Sequence, residues 1–169
     1  MGREVRMVPP GWVHPVNSSG EHVPLYSGGF DEAHAEWVEA DAKWSAGLVK
    51  DWSTGKWKPR DPEYAHMRYC DYDGKEPRRD DYMPTFAPGT ATHLMMYENT
   101  SEGTPISPAF ATPEELARWL ADTGASAFGD MTATYEQWLA TIRSGYAPSA
   151  VIRGGVLTSG VEDSARGAS

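Results

Sequence analysis

The sequence predicts an α+β fold, in which three to four helices pack on a small antiparallel sheet within a single compact domain. Two observations support this prediction. Residues 100–145 carry the start and stop signals of two amphipathic helices, and short apolar segments on either side have the length of β-strands. A chain of 169 residues buries about two thirds of its unfolded surface. We expect the domain to span residues 1–162 and a frayed tail to span residues 163–169.

The two predicted helices each begin with a capping box. Thr112 stands three residues before Glu115, with Pro113 directly after it, and Thr134 stands three residues before Gln137. In a capping box, the threonine hydroxyl accepts a hydrogen bond from the backbone N–H three residues later. The side chain of that later residue, Glu or Gln, accepts from the backbone N–H of the threonine, and proline suits the first helical position. Both helices carry an apolar stripe that we expect to form the core, and the stripes consist of Leu116, Trp119, Leu120, Tyr135, Trp138, Leu139 and Ile142.

Strands are predicted near both ends of the chain and before the helical hairpin. Residues 3–8 alternate polar and apolar side chains, and residues 93–97 form an apolar run. Residues 150–152 and 156–161 flank Gly154 and Gly155, a dipeptide that is typical of a tight β-hairpin. These segments supply the strands of the predicted sheet.

The longest helix is predicted to begin at residue 31, and one continuous apolar stripe runs along it. It ends either near Gly47 or at about residues 52–55, because a glycine weakens a helix by about 1 kcal/mol without always ending it. Residues 53–92 are rich in proline, which interrupts long helices and strands. They are also rich in aromatic residues, which argue against a disordered segment. A short helix over residues 62–70, capped by Asp61, is predicted there. The stripe of the longest helix consists of Ala33, Trp37, Ala40, Trp44 and Leu48.

The charge is unevenly distributed along the chain. The formal net charge is −9, and residues 43–79 hold nine of the fifteen basic residues against six acidic ones, a local balance of +3 that leaves −12 elsewhere. An acidic chain argues against bulk binding to nucleic acid. This division indicates either scattered solvated charges or one face that binds an anion and another that binds a basic partner.

The single cysteine, Cys70, excludes disulfides within the chain and Cys-based zinc sites, so a reducing compartment fits. No apolar run reaches membrane-spanning length, and residues 1–10 carry charges where a signal peptide needs an apolar segment. We therefore expect a soluble cytoplasmic protein with no membrane partner.

The strongest candidate for a binding surface is the segment in which basic and aromatic residues alternate. This composition is typical of surfaces that stack on bases while holding phosphates, although aromatic residues packed under a proline-rich loop give the same pattern. A concave basic pocket would favour a nucleotide-like small molecule, and a flat apolar patch would favour a protein. The candidate residues are Trp52, Lys56, Trp57, Lys58, Arg60, Arg68, Tyr69, Arg78 and Arg79.

Motifs for catalysis or metal binding are weak. The chain has no phosphate-loop spacing and no nucleophile elbow. Asp71 and Asp73 match part of a calcium loop, but Tyr69 would occupy the first ligand position. Cys70 and His66 stand four residues apart on the predicted short helix, where no third group orients a base. We predict no catalytic residue, metal or cofactor.

The run SEGTPISPAFATPEELARWLADTGASAFGDMTATYEQWLATI, with REVRMVPPGWVHP near the start and the closing APSAV and SGV, resembles a family of accessory proteins of tailed bacteriophages and prophages. The similarity covers about two thirds of the chain. Longer members carry CxxC zinc-knuckle segments in the middle, where this chain has only Cys70, so no zinc role carries over. The resemblance implies a place of action, the cytoplasm of the infected bacterium, and supplies no catalytic motif.

Resemblance and composition together predict a non-enzymatic phage accessory protein that binds a host protein. We expect it to inhibit an antiphage defence protein or complex, such as CRISPR or restriction machinery, through aromatic residues with a mixed-charge rim. One alternative is a small-ligand binder or sponge for a nucleotide second messenger. Another is a small enzyme without a recognisable motif.

Overall fold

The computed structural model describes residues 2–165, and its fold is α+β as predicted. Helices comprise 32% and strands 25% of the chain, so neither class dominates. Internal contacts divide the chain into two compact units. The split unit comprises Met1–Ser27 and Pro84–Ser169, and the inserted unit comprises Gly28–Met83.

Helices and strands are interspersed along the chain, and all except the 16-residue first helix are short. The strands are β1 (Gly2–Val8), β2 (Leu48–Asp51), β3 (Lys56–Pro59), β4 (His93–Glu98), β5 (Thr104–Pro105), β6 (Tyr146–Pro148), β7 (Ala150–Arg153) and β8 (Val156–Ser159). The α-helices are α1 (Phe30–Ser45), α2 (Tyr69–Tyr72), α3 (Pro113–Asp122), α4 (Tyr135–Ser144) and α5 (Gly160–Ser164). Two 3-10 turns span Pro62–Tyr64 and Arg79–Asp81.

The split unit contains a four-stranded antiparallel sheet in the order β5-β4-β1-β6. β1 lies inside this sheet, so Arg3 and Arg6 are buried at 2% and 7% exposure. Both charges have partners, as burial requires. Arg3 forms an ion pair with Glu98 at 3.0 Å, and Arg6 forms an ion pair with Glu4 and donates to the carbonyl oxygen of Leu25 at 2.6 Å. The predicted strands over residues 3–8 and 93–97 are thus confirmed as β1 and β4.

The predicted helical hairpin is confirmed as α3 and α4. Both capping boxes form in full, with Thr112 accepting from the Glu115 backbone and Thr134 from the Gln137 backbone. Trp138 is completely buried, whereas Trp119 is partly buried and packs against the core. The fully buried cluster of this unit is mainly aliphatic and consists of Met96, Leu116, Ala117, Leu120, Ala127, Trp138, Ile142, Ala147 and Val161.

The predicted C-terminal hairpin is confirmed as β7 and β8, joined at Gly154 and Gly155. The second strand ends at Ser159, whose side chain accepts from the backbone N–H of Glu162 and begins α5. The domain boundary at residue 162 stays a prediction. Residues 163 and 164 belong to α5, and residues 166–169 of the predicted tail lie outside the described residues.

The inserted unit is built on α1. This helix ends at Ser45, the earlier of the two predicted ends, because Gly47 has φ 81° and turns the chain out of the helical path. Leu48 therefore lies in β2 and not on the helical stripe. β2 pairs with β3 in an antiparallel hairpin that the sequence pattern did not predict.

The predicted short helix over residues 62–70 is wrong. Asp61 does cap a turn there, since its carboxylate accepts from the backbone of Glu63, but the turn is 3-10 and ends at Tyr64. Trp44 donates from Nε1 to the carbonyl oxygen of Met67 at 2.8 Å, which occupies that carbonyl, and the next residue is extended. His66 and Cys70 therefore do not share a helix.

Candidate functional site

The turn between β2 and β3 presents Trp52 to solvent. Asp51 closes this turn, because its carbonyl oxygen accepts from Gly55 at 2.7 Å and its carboxylate accepts from both the hydroxyl and the backbone of Ser53. These Ser53 bonds, with Lys58 nearby, hold the pKa of the Asp51 carboxyl below its ordinary value. Trp52 projects from this closed turn and is 70% exposed, with only part of its ring covered by Lys50.

A cleft of about 180 Å³ lies beside this turn, entirely within the inserted unit. Three aromatic residues predicted for the binding surface, Trp52, Trp57 and Tyr69, line it together. Trp37 from α1 supplies a further wall, with its ring centre 5.7 Å from that of Tyr69 and the planes inclined at 55°. Its Nε1 donates to the carbonyl oxygen of Gly74 at 3.0 Å, which fixes the indole orientation. We call this site the aromatic cleft.

The charged lining of the aromatic cleft is mainly acidic. Glu36 and Glu39 on α1, Asp73 and a single base, Lys50, line it. The Tyr69 hydroxyl donates to Asp73, and burial followed by this carboxylate raises the pKa of Tyr69 above its ordinary value. Three acids against one base give a formal balance of −2. The cleft is therefore concave and aromatic, as the ligand hypothesis requires, but its charge is opposite to the one that hypothesis assumes.

The predicted basic residues lie elsewhere in the inserted unit. Lys58 and Arg60 line a second recess of about 310 Å³, which we call the basic recess, with Trp44, Tyr64 and Tyr72. The Arg60 guanidinium lies 4.5 Å above the Trp44 ring, and Trp44 stacks on Tyr72 at 4.3 Å. Asp61 also lines the recess, so its charged side chains have a formal net charge of +1.

The remaining predicted bases make local contacts. Arg68 forms a forked pair with Asp71 at 2.9 and 3.1 Å, and Arg78 contacts Asp80 at 3.4 Å. Arg79 lies over the Phe30 ring at 5.3 Å, and Lys56 is exposed. Such exposed pairs contribute little to stability or binding. They do not join the aromatic residues in one surface.

The acids that line the aromatic cleft were not in the predicted site. Glu36 and Glu39 lie outside the predicted apolar stripe of α1, and Trp37 lies on it. Trp37 is in fact only partly buried. The inserted unit holds nine basic and thirteen acidic residues, a balance of −4, because α1 adds five acids and Asp80 and Asp81 add two to the segment that alone counts as +3. Residue spacing on α1 could have placed Glu36 beside Trp37, but not opposite Trp57.

A different recess, of about 450 Å³, lies in the split unit beside Trp119. Its floor contains His14, which is 2% exposed and bonded through both ring nitrogens. In the tautomer with a proton on Nε2, His14 donates to the carbonyl oxygen of Val23 at 2.6 Å and accepts from the Tyr97 hydroxyl at 3.2 Å. Burial lowers the pKa of His14, and His22 and Arg6 lower it further. Its bonds identify His14 as a structural residue in a neutral state.

Comparisons and searches for other sites add three findings. Within residues 2–165, no three His, Cys, Asp or Glu side chains converge as a metal site would require. No helix in the same residues has the length and apolar character needed to cross a membrane. No family model matches this chain, and comparisons with curated proteins and with solved structures find no similar protein.

Proposed function

We propose that this chain is a phage accessory protein that binds a host protein through the inserted unit and thereby inhibits an antiphage defence protein or complex. The observation that carries this proposal is Trp52, which is 70% exposed at the edge of the aromatic cleft. The phage assignment comes from the sequence resemblance described above. Binding, and not catalysis, is the role that the arrangement of this site supports.

Exposure of Trp52 is costly unless a partner covers it. Burying an aromatic residue of this size removes on the order of 150–250 Å² from water. Tryptophan is also the residue type most enriched among the anchors that dominate binding energy in protein interfaces. Lys50 lies 5.1 Å from the ring and covers part of it in the free protein. The charged side chains around Trp52 fit the polar rim that surrounds such an anchor.

The first experiment compares partner capture by the wild-type chain and by Trp52→Ala. Tyr146→Ala is the matched control, because Tyr146 is an exposed aromatic residue, at 44%, in the split unit. Each purified protein is immobilised and exposed to lysate of a bacterial host, and retained proteins are quantified by mass spectrometry. We expect a host protein that the wild type and Tyr146→Ala retain and that Trp52→Ala loses.

The partner identified in this way is then purified and titrated. Loss of an interface anchor costs about 2 kcal/mol or more, so Trp52→Ala should raise Kd roughly 30-fold. Inhibition is tested by measuring phage plating on a host that carries the corresponding defence system, with and without the chain expressed. Absence of any Trp52-dependent partner across hosts would contradict the proposal.

The basic recess supports a second candidate function, binding of a nucleotide-like molecule. The Tyr72 ring, which is 40% exposed and backed by Trp44, suits a base, and the nearby Lys58 and Arg60 suit a phosphate. A nucleotide panel in a thermal-unfolding assay tests it, since ligand at 100 times Kd adds about 2.7 kcal/mol of stability. The response should disappear in Lys58→Met and persist in Lys56→Met. No shift at saturating nucleotide would remove this candidate.

A further inference from the structure

We propose that the aromatic cleft binds a cationic side chain, preferably arginine, from the partner protein. This inference rests on the proposed function and specifies the chemistry that the partner brings. It also reverses the charge expected from the sequence, which predicted a basic surface for an anion. Three features of the cleft support it: its volume, its aromatic walls and its unpaired carboxylates.

The volume fits one side chain. The cleft measures about 180 Å³, whereas pockets for drug-sized ligands measure about 300–1,000 Å³. A nucleotide therefore does not fit within it, but the end of a long side chain does. The cleft opens beside the exposed Trp52, so a partner that covers this indole brings its neighbouring residues to the opening.

The walls favour a cation. Aromatic faces attract ammonium and guanidinium groups within about 6 Å of the ring centre. The protein already shows this preference at the same rings, since Lys50 Nζ lies 5.1 Å from the Trp52 ring and Lys43 Nζ lies 5.9 Å from the Trp57 ring. Trp37 and Tyr69 pack against each other, with ring centres 5.7 Å apart and planes inclined at 55°, so a planar guanidinium would stack on the partly exposed Trp37 ring and not between the two rings.

The carboxylates select the sign of the charge and make arginine the better ligand. Glu36 and Glu39 are exposed on one face of α1, and neither forms an ion pair with a described basic side chain. Asp73 already accepts one bond from Tyr69, so the two glutamates supply most of the remaining acceptor capacity of this cleft. A guanidinium can stack on a ring and donate a forked pair of hydrogen bonds, whereas an ammonium group acts as a point charge.

The test uses a short capped peptide in which arginine alternates with glycine, and follows tryptophan fluorescence during titration. A peptide with citrulline in place of arginine is the neutral control of equal shape, and a lysine peptide measures the preference between cations. We expect the arginine peptide to bind more tightly than the lysine peptide, and the citrulline peptide to bind least. Equal binding of the citrulline and arginine peptides would overturn the proposal.

Charge variants locate the peptide in the cleft. Glu36→Gln combined with Glu39→Gln should raise Kd for the arginine peptide roughly tenfold, which corresponds to about 1.4 kcal/mol. Asp31→Asn combined with Glu32→Gln is the matched control, because it removes the same charge from the same helix outside the cleft lining. Lys50→Met should have the opposite effect and lower Kd, since it removes the competing cation. Equal weakening by the two double variants would show nonspecific attraction to α1 and would also overturn the proposal.

Failure of this inference can be distinguished from failure of the proposed function. One outcome is a host protein that requires Trp52 but binds the double variant Glu36→Gln and Glu39→Gln as tightly as the wild type. This result would contradict the cation assignment and leave the proposed function intact. Specific arginine binding without any Trp52-dependent host protein would support the cleft assignment and contradict the proposed function. Circular dichroism and thermal unfolding verify that each variant is folded before it is scored.

Discussion

The two units of this protein are stabilised by different kinds of core. The split unit encloses nine residues in its central buried cluster, most of them aliphatic and packed around Trp138. The buried cluster of the inserted unit contains only Ala40, Trp44 and Tyr69, with partly buried rings around it. A small unit has little interior, so it cannot hide large side chains completely. Its recesses are lined both by these buried rings and by the partly buried rings of Trp37, Trp57 and Tyr64.

Cations compensate for this open packing. The inserted unit has 56 residues and four contacts between a cation and a ring, formed by Lys43, Lys50, Arg60 and Arg79. The split unit is about twice as long and has two such contacts among its described residues. Stacked cations cover aromatic faces without removing them from reach of a ligand. The two units therefore differ in how their aromatic rings are covered, mainly by aliphatic side chains in the split unit and partly by cations in the inserted unit.

The largest expected effect is that of Trp138→Ala in the split unit. Removal of a fully buried indole leaves a cavity, and we expect the free energy of unfolding to fall by about 3–5 kcal/mol in urea titration. Trp138→Phe is the control. The buried Nε1 has no hydrogen-bond partner within residues 2–165, so phenylalanine gives up no bond and should cost only about 1–2 kcal/mol. Equal losses in the two variants would show that ring volume is not what Trp138 contributes.

The next effect is that of Trp44→Ala in the inserted unit. Trp44 is 3% exposed, stacks on Tyr72 and donates to Met67, so we expect a loss of about 3 kcal/mol. Trp52→Ala, at a 70% exposed position, should change stability by about 0.5 kcal/mol or less. Hydrogen exchange supplies the local measurement, since Trp44→Ala should reduce protection first in α1, β2 and β3. An equal loss in α3 and α4 would show that the two cores unfold as one.

The same contrast explains which elements could be predicted from the sequence. In the split unit, α3 and α4 begin at capping boxes formed by residues three positions apart, so local spacing was sufficient. In the inserted unit, β2 was ambiguous because Leu48 continues the spacing of α1, and β3 contains two lysines and a proline without clear alternation. The left-handed backbone conformation of Gly47 is what separates α1 from β2.

The candidate site was predicted in part for a related reason. Trp52, Trp57 and Tyr69 were predicted together because they are near one another in sequence, and all three line the aromatic cleft. The sign of its charge was not predictable, because Glu36 and Glu39 belong to a helix that folds back against the hairpin from earlier in the chain. Local charge counts omit acids that tertiary packing brings to the site.

A smaller effect is expected for the helix caps of the split unit. Thr112→Ala and Thr134→Ala each remove a side-chain acceptor that the structure uses, and each should lower the free energy of unfolding by about 1 kcal/mol. Serine at either position retains the hydroxyl and is the control. In contrast, α1 begins at Gly29 with no side-chain cap, so its stability depends on packing. A negligible loss in both alanine variants would show that packing alone also holds α3 and α4.

The smallest expected effect is the pH dependence of stability that comes from His14. Burial lowers the pKa of this residue below the ordinary value of 6.5. The unfolded chain takes up a proton on this residue at a higher pH than the folded chain does. Stability should therefore be fully present above pH 6.5 and decline as the pH falls through and below that value. Protonation would replace the acceptor nitrogen that faces the Tyr97 hydroxyl with a second donor, and it would add a charge near Arg6 and His22.

Urea titrations at several pH values between about 5 and 7.5 measure this slope, and His14→Gln supplies the comparison because glutamine is polar but does not titrate in this range. Glutamine should lower stability at pH 7.5 through weaker packing, and it should also flatten the decline below pH 6.5. The two effects separate, because packing shifts the whole curve whereas proton linkage changes only its slope. An unchanged slope in His14→Gln would assign the decline to other groups, and the split unit would then contain no buried group that senses acid at this position.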